Sequence, residues 1–318
     1  KRRIETKMPS EVPAPAPFSD FVHLHVHSQY SLLDGATSIK KLAAKAKADG
    51  MAAVALTDHG NMFGIKLFYD TCRKAGIKPI LGCEAYVARR TRFDKGKNIP
   101  AGTDEKIDRS GNHLILLAKN LRGYRNLVRL VSLGYIEGNY YRPRIDKEIL
   151  EKYKDGLIVC SACLAGEIPS KILAGDEAGA EEAARWFRRV FGEDFYLEVM
   201  RHPNSVNEET RGVYERQIVV EKGIFRIAEK LGIKVVATND VHFLDAADAD
   251  AHDILLCLNS GKKVSDEKRL RYTRQEWFKT TSEMKALFGD RPDVLLNTLE
   301  VANKVGEYEL DSPPIMPV

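Results

Sequence analysis

The chain is 318 residues long, with 44% hydrophobic residues, 23 glycines and 13 prolines; such a composition can bury a sizeable core and excludes a wholly disordered or collagen-like polypeptide. Lysine and arginine total 49 against 45 aspartate and glutamate, a net charge of +4 that neither demands nor forbids a nucleic-acid partner. The longest apolar stretches, such as residues 114–118, fall far below the roughly 18 residues of a membrane span, and five cysteines without a regular framework fit reduced thiols, so a cytoplasmic protein without membrane contact is expected.

Residues 1–20 carry Pro9, Pro13, Pro15 and Pro17, a spacing that prevents a helix and predicts an extended lead-in. Residues 21–27 alternate hydrophobic and imidazole side chains and read as a strand, after which Ser38 can cap a helix that stops at Gly50. Residues 53–57 are a second strand, 65–72 a helix ended near Gly76, and 79–81 a third strand continuing toward Glu84. Repeated strand and helix units of this size predict parallel strands under a coat of helices.

Residues 88–112 are charged and carry Gly96, Gly102 and Gly111, the mark of a long excursion. Within it Arg89, Arg90, Arg92, Lys95 and Lys97 are opposed only by Asp94, which fits either a solvated loop or contact with a phosphate backbone. Further strands are predicted at 113–118, 157–160, 195–199 and 234–238, and helices at 121–136, 178–191, 208–231 and 248–258, with a turn over 138–143. Seven strands favour an α/β fold that is a closed or nearly closed barrel. Beyond Ser260 come basic residues and helices at 282–288 and 293–305, and residues 312–318, with three prolines, read as extended. The expected division is a lead-in over 1–20, a barrel over 21–265 and a helical extension over 266–318.

Polar residues gather at the strand ends. His23, His25 and His27 fall on one face if the strand keeps its period of two. The second strand ends in Thr57, Asp58, His59 and Gly60, the third leads into Glu84, the fourth lies at His113, the fifth runs to Cys160 and Cys163, and the seventh ends in Asn239, Asp240 and His242. A barrel brings such positions together at one face. Imidazole, carboxylate and thiolate form a donor set for zinc, manganese or iron, and a multinuclear site of that kind hydrolyses phosphoesters. His202 and His252 read as packed residues, and Cys72, Cys83 and Cys160 as buried small hydrophobes. Cys163 and Asp34, the latter in a Leu-Leu-Asp-Gly turn, are open between structural and ligand roles. No phosphate-loop or dinucleotide fingerprint follows Gly60 and Gly64.

The segments FVHLHVHSQYSLLDG (21–35), LTDHGNMFG (56–64), GIKPILGCEAY (76–86), residues 113–133, CLAGEIP (163–169), NDVHF (239–243) and AHDILL (251–256) resemble, in this order, the PHP (polymerase and histidinol phosphatase) domain of bacterial replicative DNA polymerase III alpha subunits. The resemblance runs over nearly the whole chain from Phe21 and implies a distorted seven-stranded (β/α)7 barrel, TIM-like, with a C-terminal helical extension. It implies three divalent ions, zinc or manganese with iron or magnesium as further candidates, held by nine residues. On this chain these are His25, His27, Asp34, His59, Glu84, His113, Cys163, Asp240 and His242. His23 and Asp58 become supporting neighbours.

The implied division gives one ion to His25, His27, Glu84 and Asp240, a second to Glu84, His113 and Cys163, and a third to Asp34, His59 and His242. Water or hydroxide between ions, with Asp34, His59, Glu84 and Asp240 around it, would attack the terminal phosphodiester in a 3′ to 5′ proofreading exonuclease. Arg89, Arg90, Arg92, Lys95 and Lys97 could then guide single-stranded DNA. The chain would be the amino-terminal portion of a longer DNA-directed polymerase, unable to extend a primer alone, partnered with the primer 3′ end and, in the parent, with components such as the sliding clamp, in the cytoplasm at the nucleoid. Two other readings remain open: a metal-stabilised structural module without turnover, and a phosphomonoesterase of the histidinol phosphatase type.

Overall fold

A computed structural model describes residues 19–95, 110–203 and 208–311. The strands are β1 (Ala53–Leu56), β2 (Lys78–Val87), β3 (Asn112–Ala118), β4 (Asn139–Tyr140), β5 (Arg142–Ile145), β6 (Leu157–Cys160), β7 (Phe195–Val199) and β8 (Val235–Ala237). The helices are α1 (Ile39–Ala48), α2 (Ile65–Ala75), α3 (Leu121–Ile136), α4 (Lys147–Lys152), α5 (Glu167–Leu173), α6 (Glu177–Phe191), α7 (Glu208–Leu231), α8 (Ala249–Ser260), α9 (Thr281–Leu287) and α10 (Pro292–Lys304). Among the described residues no helix is long and apolar enough to cross a membrane.

Strands AVAL, LIVC and VVA are buried along their whole length, which is why they read as uninterrupted apolar runs. They pair in the order β1, β2, β3, β6, β7, β8. The seventh stave is the extended segment 21–27. It accepts from Ala55 N at His23 O (2.9 Å) and from Thr57 N at Val26 O (2.8 Å) on one side, and on the other His27 N donates to Val241 O (2.7 Å). That double pairing closes a distorted (β/α)7 barrel.

Two distortions set which side chains reach the interior. The acceptors His23 and Val26 are three residues apart where their donors Ala55 and Thr57 are two apart, so the first stave carries one extra residue. Val22 and Leu24 point into the barrel core, His25 and His27 also turn inward, and His23 faces out against the ring of Phe278 (4.3 Å between centroids). The three histidines therefore do not share a face, because the bulge breaks the period of two.

The second distortion is a reversal. β3 runs antiparallel to both β2 and β6, against the expectation of uniformly parallel strands. The long connection through the excursion returns the chain to the end of β2 that it left, so β3 begins where its neighbours end. Tyr86 pairs with His113 as a result. The excursion itself is anchored at its near end: Arg144, fully buried, donates to Arg92 O (3.3 Å) and Asp94 O (2.7 Å).

Helix α10 seals the opposite end of the barrel. Val301 and Ala302 join the interior cluster of Val22, Ala53, Ile80, Leu117 and Val236. Lys78 Nζ donates to Ala302 O (3.1 Å) and Val305 O (3.0 Å) at the helix C-terminus, where carbonyls lack partners. Thr298 Oγ1 accepts from Val22 N (2.9 Å) and donates to Leu295 O (2.6 Å), tying the helix to the first stave. Replacing Thr298 with Val keeps the shape but strands the Val22 amide, and denaturant unfolding should show a loss of about 1–3 kcal/mol; an unchanged midpoint would show the tie to be dispensable.

Candidate metal centre

All nine expected donors lie at the end of the barrel away from α10. Glu84, fully buried near the end of β2, is the shared element. Its Oε1 lies 2.8 Å from His113 Nδ1 and 3.4 Å from His25 Nε2, and its Oε2 lies 2.5 Å from His59 Nδ1 and 3.6 Å from His27 Nε2. Asp240 Oδ1 sits 3.1 Å from His25 Nε2 and 3.2 Å from His27 Nε2. Asp34 Oδ2 is 2.9 Å from His59 Nε2 and 3.8 Å from His242 Nε2. Cys163 Sγ is 3.6 Å from His113 Nδ1. Three sets place ligand atoms within 4.8 Å of one another: His25, His27 and Glu84; His27, His59 and His242; Glu84, His113 and Cys163.

Local structure explains how each donor arrives. Asp34 follows Leu33, whose φ of 59° is left-handed, and precedes Gly35, where a Cβ would stand 2.0 Å from Ser28 O. Only glycine closes that turn. Asp240 itself has a φ of 47°, a strained conformation for a non-glycine residue that aims its carboxylate back at the first stave. His113 N donates to Ala165 O (3.0 Å), which draws the Cys163 loop to the start of β3.

The outer ring nitrogens are engaged, which orients the inner ones. His25 Nδ1 pairs with Glu198 Oε1 (2.7 Å), and that carboxylate also accepts from Thr238 Oγ1 (2.5 Å) and Ala162 N (3.1 Å). His27 Nδ1 meets Ser31 Oγ (2.9 Å), which donates onward to Asp58 Oδ1 (2.8 Å); Asp58 also accepts from Ser28 N (2.7 Å). His242 Nδ1 lies 2.7 Å from the Asp240 carbonyl. Each arrangement places the proton on Nδ1 and leaves Nε2 to the cluster, the tautomer a metal ligand needs.

The charges are unbalanced without a cation. Burial would raise the Glu84 carboxyl, but His113 and His59 hold it well below the usual range, and His25 and His242 do the same for Asp240. Asp34 is likewise held low, against burial, by His242 and His59. Burial would lower His59, yet Glu84 and Asp34 lift it to about 10; His27, buried and flanked by His59 and His242, drops to about 3. Burial, with Asp240 and Glu84 nearby, raises the Cys163 thiol. Protonated imidazoles thus stand in for cations. Asp34 Oδ1, His59 Nδ1, Glu84 Oε2 and Asp240 Oδ1 remain buried without a well-formed hydrogen bond. Orphaned donors of this kind, aimed at one another, fit divalent ions.

Other expected residues fall outside the cluster. His23 Nε2 contacts Lys279 O (2.8 Å), and His202 is buried on Asn239 O (3.2 Å). His252 backs the Asp34 carbonyl (2.8 Å). Cys72, Cys83 and Cys160 are buried with raised thiols, chiefly through desolvation. Of the basic excursion, Arg89 and Lys95 are exposed, and Arg90 pairs with Asp94 (2.8 Å). Arg92 is buried among Glu137 (2.6 Å), Asp146 (3.0 Å) and Glu148 (3.2 Å), which leaves it no free head for a phosphate. Lys97 lies outside the described residues.

Sequence reading missed Glu198, Ser31 and Tyr272. A carboxylate inside the apolar strand FYLEV was a usable signal for Glu198. Tyr272 had none: its hydroxyl donates to Asp34 Oδ2 (3.2 Å) and lies 3.3 Å from His242 Nε2, although it comes from the chain after the barrel strands. That stretch also buttresses the ligand loop, since Glu276 O accepts from His242 N (2.8 Å) and Asn239 Nδ2 donates to Gln275 O and Trp277 O (2.8 Å each).

This geometry makes two measurements decisive. Glu198→Gln should weaken zinc affinity by about 10–100-fold in calorimetric titration by releasing the His25 ring; unchanged affinity would show that the ring is held otherwise. Lys279, buried in the buttress, is pushed down to about 7 by burial, against the pull of Glu276 and Glu283. Unfolded, it keeps its proton to about pH 10, so the unfolded state binds more protons between these values and stability rises with pH there. The stability of the wild type relative to Lys279→Met should therefore grow from pH 7 to 9 in urea melts, and a flat difference contradicts a neutral buried lysine.

The PHP domain model matches residues 23–202 of the chain. The chain is 46% identical over 301 residues to DNA polymerase III subunit alpha of Borreliella burgdorferi, covering 94% of this chain and 25% of that one. It is 44% identical over 300 residues to the Treponema pallidum protein of the same name, covering 94% and 24%. The chain thus spans about a quarter of the length of these curated relatives. A solved two-domain protein of Bacteroides vulgatus, described as containing a predicted PHP-like metal-dependent phosphoesterase, aligns over 94% of this chain and 67% of its own at 14% identity and a TM-score of 0.40, too slight a likeness to carry weight. On the matched model and the donors it spans, the chain belongs to the PHP domain family.

Proposed function

We propose that this chain is the metal-dependent phosphodiesterase portion of a replicative DNA polymerase and removes nucleotides from the 3′ end of DNA, as a proofreading exonuclease does. The single observation that carries this reading is the convergence of nine donor side chains, four of them with orphaned buried atoms, at one end of the barrel. His25, His27, Glu84 and Asp240 would hold one ion, Glu84, His113 and Cys163 a second, and Asp34, His59 and His242 a third. Bound there, zinc or manganese supplies an acidified water and charge neutralisation for phosphoryl oxygens.

The chain's own residues do the rest. Glu198 and the Ser31–Asp58 pair fix the rings of His25 and His27, so that Nε2 of each faces the cluster and would be without a proton once an ion is bound. Tyr272 Oη, donating to Asp34 Oδ2, keeps that carboxylate turned toward His59. The buried floor of the site excludes bulk water from Glu84 and strengthens every charge interaction around it. Membership of a polymerase chain is supported by the identity to alpha subunits; DNA is the partner this implies.

The test is end-labelled single-stranded and 3′-mismatched DNA incubated with the metal-free protein, to which zinc, manganese, iron or magnesium is added separately. Hydrolysis should depend on the added ion and fall by roughly 10² or more in Asp34→Asn. Full activity in that variant, if it binds no metal, sinks the reading. Loss of thermal stability on chelation with every DNA substrate left intact would favour a structural role for the ions instead.

A further inference from the structure

We propose that His202 and His252, which lie outside the cluster, are positioning residues for Asp240 and Asp34: each spends its one ring proton on the backbone of its carboxylate ligand and so fixes how that carboxylate meets an ion. The inference rests on the ion-binding reading of the centre and is independent of what the centre does to DNA.

The φ of 47° at Asp240 is the rotation of that residue against the peptide plane it shares with Asn239. The carbonyl of this plane, Asn239 O, lies 3.2 Å from His202 Nε2. A carbonyl can only accept, so the bond exists only while Nε2 carries the proton. Gln217, buried on α7, sees to that. Its Oε1 accepts from His202 N (2.8 Å), which orients the amide and leaves its Nε2 to donate to His202 Nδ1 (3.1 Å). A neutral imidazole that accepts at Nδ1 bears its hydrogen at Nε2. Glu276 Oε1 stands 3.6 Å from the same Nδ1, beyond hydrogen-bond reach, and accepts instead from Thr273 N (3.0 Å) and Thr273 Oγ1 (2.5 Å). His202 is buried, and with its lone pair taken by Gln217 it has none to offer a metal.

Asp34 is held by the same device. Its backbone N donates to Ser31 O (3.0 Å), and its backbone O accepts from His252 Nε2 (2.8 Å), so the peptide planes on both sides of its Cα are fixed. His252, buried on α8, is itself set by the rings of Phe243 (5.0 Å) and Tyr272 (5.1 Å, edge-on). Its Nε2 is 4.0 Å from Asp34 Oδ1, so the carboxylate is left untouched and Oδ1 keeps its open valence for an ion. Neither His202 nor His252 belongs to a set of converging donors among the described residues.

A left-handed non-glycine residue persists only where its surroundings overdetermine it, and these two N–H groups act on the planes concerned. The ligands they hold serve different parts of the cluster: Asp240 faces His25 (3.1 Å) and His27 (3.2 Å), whereas Asp34 faces His59 (2.9 Å). Loss of one strut should therefore be felt at one ion and loss of the other at a second.

The experiment titrates zinc into the metal-free 318-residue chain by calorimetry and records the visible absorption of the cobalt(II)-loaded protein, which reports coordination geometry. His202→Phe should weaken one equivalent of zinc about 10–100-fold and alter the cobalt spectrum, while His202→Gln, whose amide reaches the place of Nε2, should stay within about threefold of the wild type. His252→Phe and His252→Gln should behave alike at another equivalent, and the double Phe variant should weaken two. Rescue by Gln, which keeps the donor but not the ring, separates positioning from packing. Should the Phe variants not fold, His202→Asn and His252→Asn, whose amides are too short to reach the carbonyls, make the same comparison with Gln. Folded Phe or Asn variants with wild-type affinity and spectrum, Gln variants as weak as these, or a wild type that takes up no ion overturn the role. DNA left uncut by the zinc-loaded chain removes the exonuclease alone; selective affinity losses in the same preparations still uphold the two struts.

Discussion

One buried carboxylate organises this molecule. Glu84 has no exposed surface to speak of and faces four imidazoles, those of His25, His27, His59 and His113, that come from three different parts of the chain. An unpaired carboxylate in such a place would be prohibitively costly, and a like crowd of imidazoles would be no better. The two tolerate one another only in a fixed geometry with positive charge between them. Protons on His25 and His59 provide it in the ion-free state, and divalent cations fit the same need. The staves of the barrel are placed so that this cluster can form.

That requirement gives meaning to the departures from a regular barrel. A bulge in the first stave separates His23 from His25 and His27, sending one imidazole to the outside and two to the cluster. The reversal of β3 delivers His113 at the beginning of a strand to the same end at which Glu84 leaves β2. Left-handed conformations at Leu33 and Asp240 turn two carboxylates inward. Local strain of this kind persists where the surrounding structure overdetermines it, and here it is concentrated at the ligands.

The stretch beyond the barrel strands is structurally part of both ends. α10 plugs the floor through Val301, Ala302 and Thr298, while residues 272–278 brace the Asn239 to His242 loop and insert Tyr272 between Asp34 and His242. Movement of this stretch would be felt at the ligands, because no other described segment supports the His242 amide. On the rim, the β4–β5 hairpin is anchored through Arg144 and Pro143 beside Tyr86, whose ring borders those of His113 and His59.

The amino-acid sequence by itself determined which residues could be donors and roughly where each strand and helix lies. Runs such as AVAL and LIVC, short and set between helical segments and turns, read as buried strands, and His-x-His, Asp-His and Asp-x-His at strand ends advertise their chemistry in few residues. It could not determine direction or facing. A one-residue bulge and a reversed strand leave no local trace, since both are set by pairing with partners far away in the chain. The same limit governed the supporting residues: Glu198 and Tyr272 acquire their roles from neighbours 173 and 238 positions distant, and Arg92, basic in composition, is neutralised by carboxylates brought to it only on folding. Chemical identity is a property of single residues, whereas tertiary structure decides contact, burial and orientation, and the cluster is made of those.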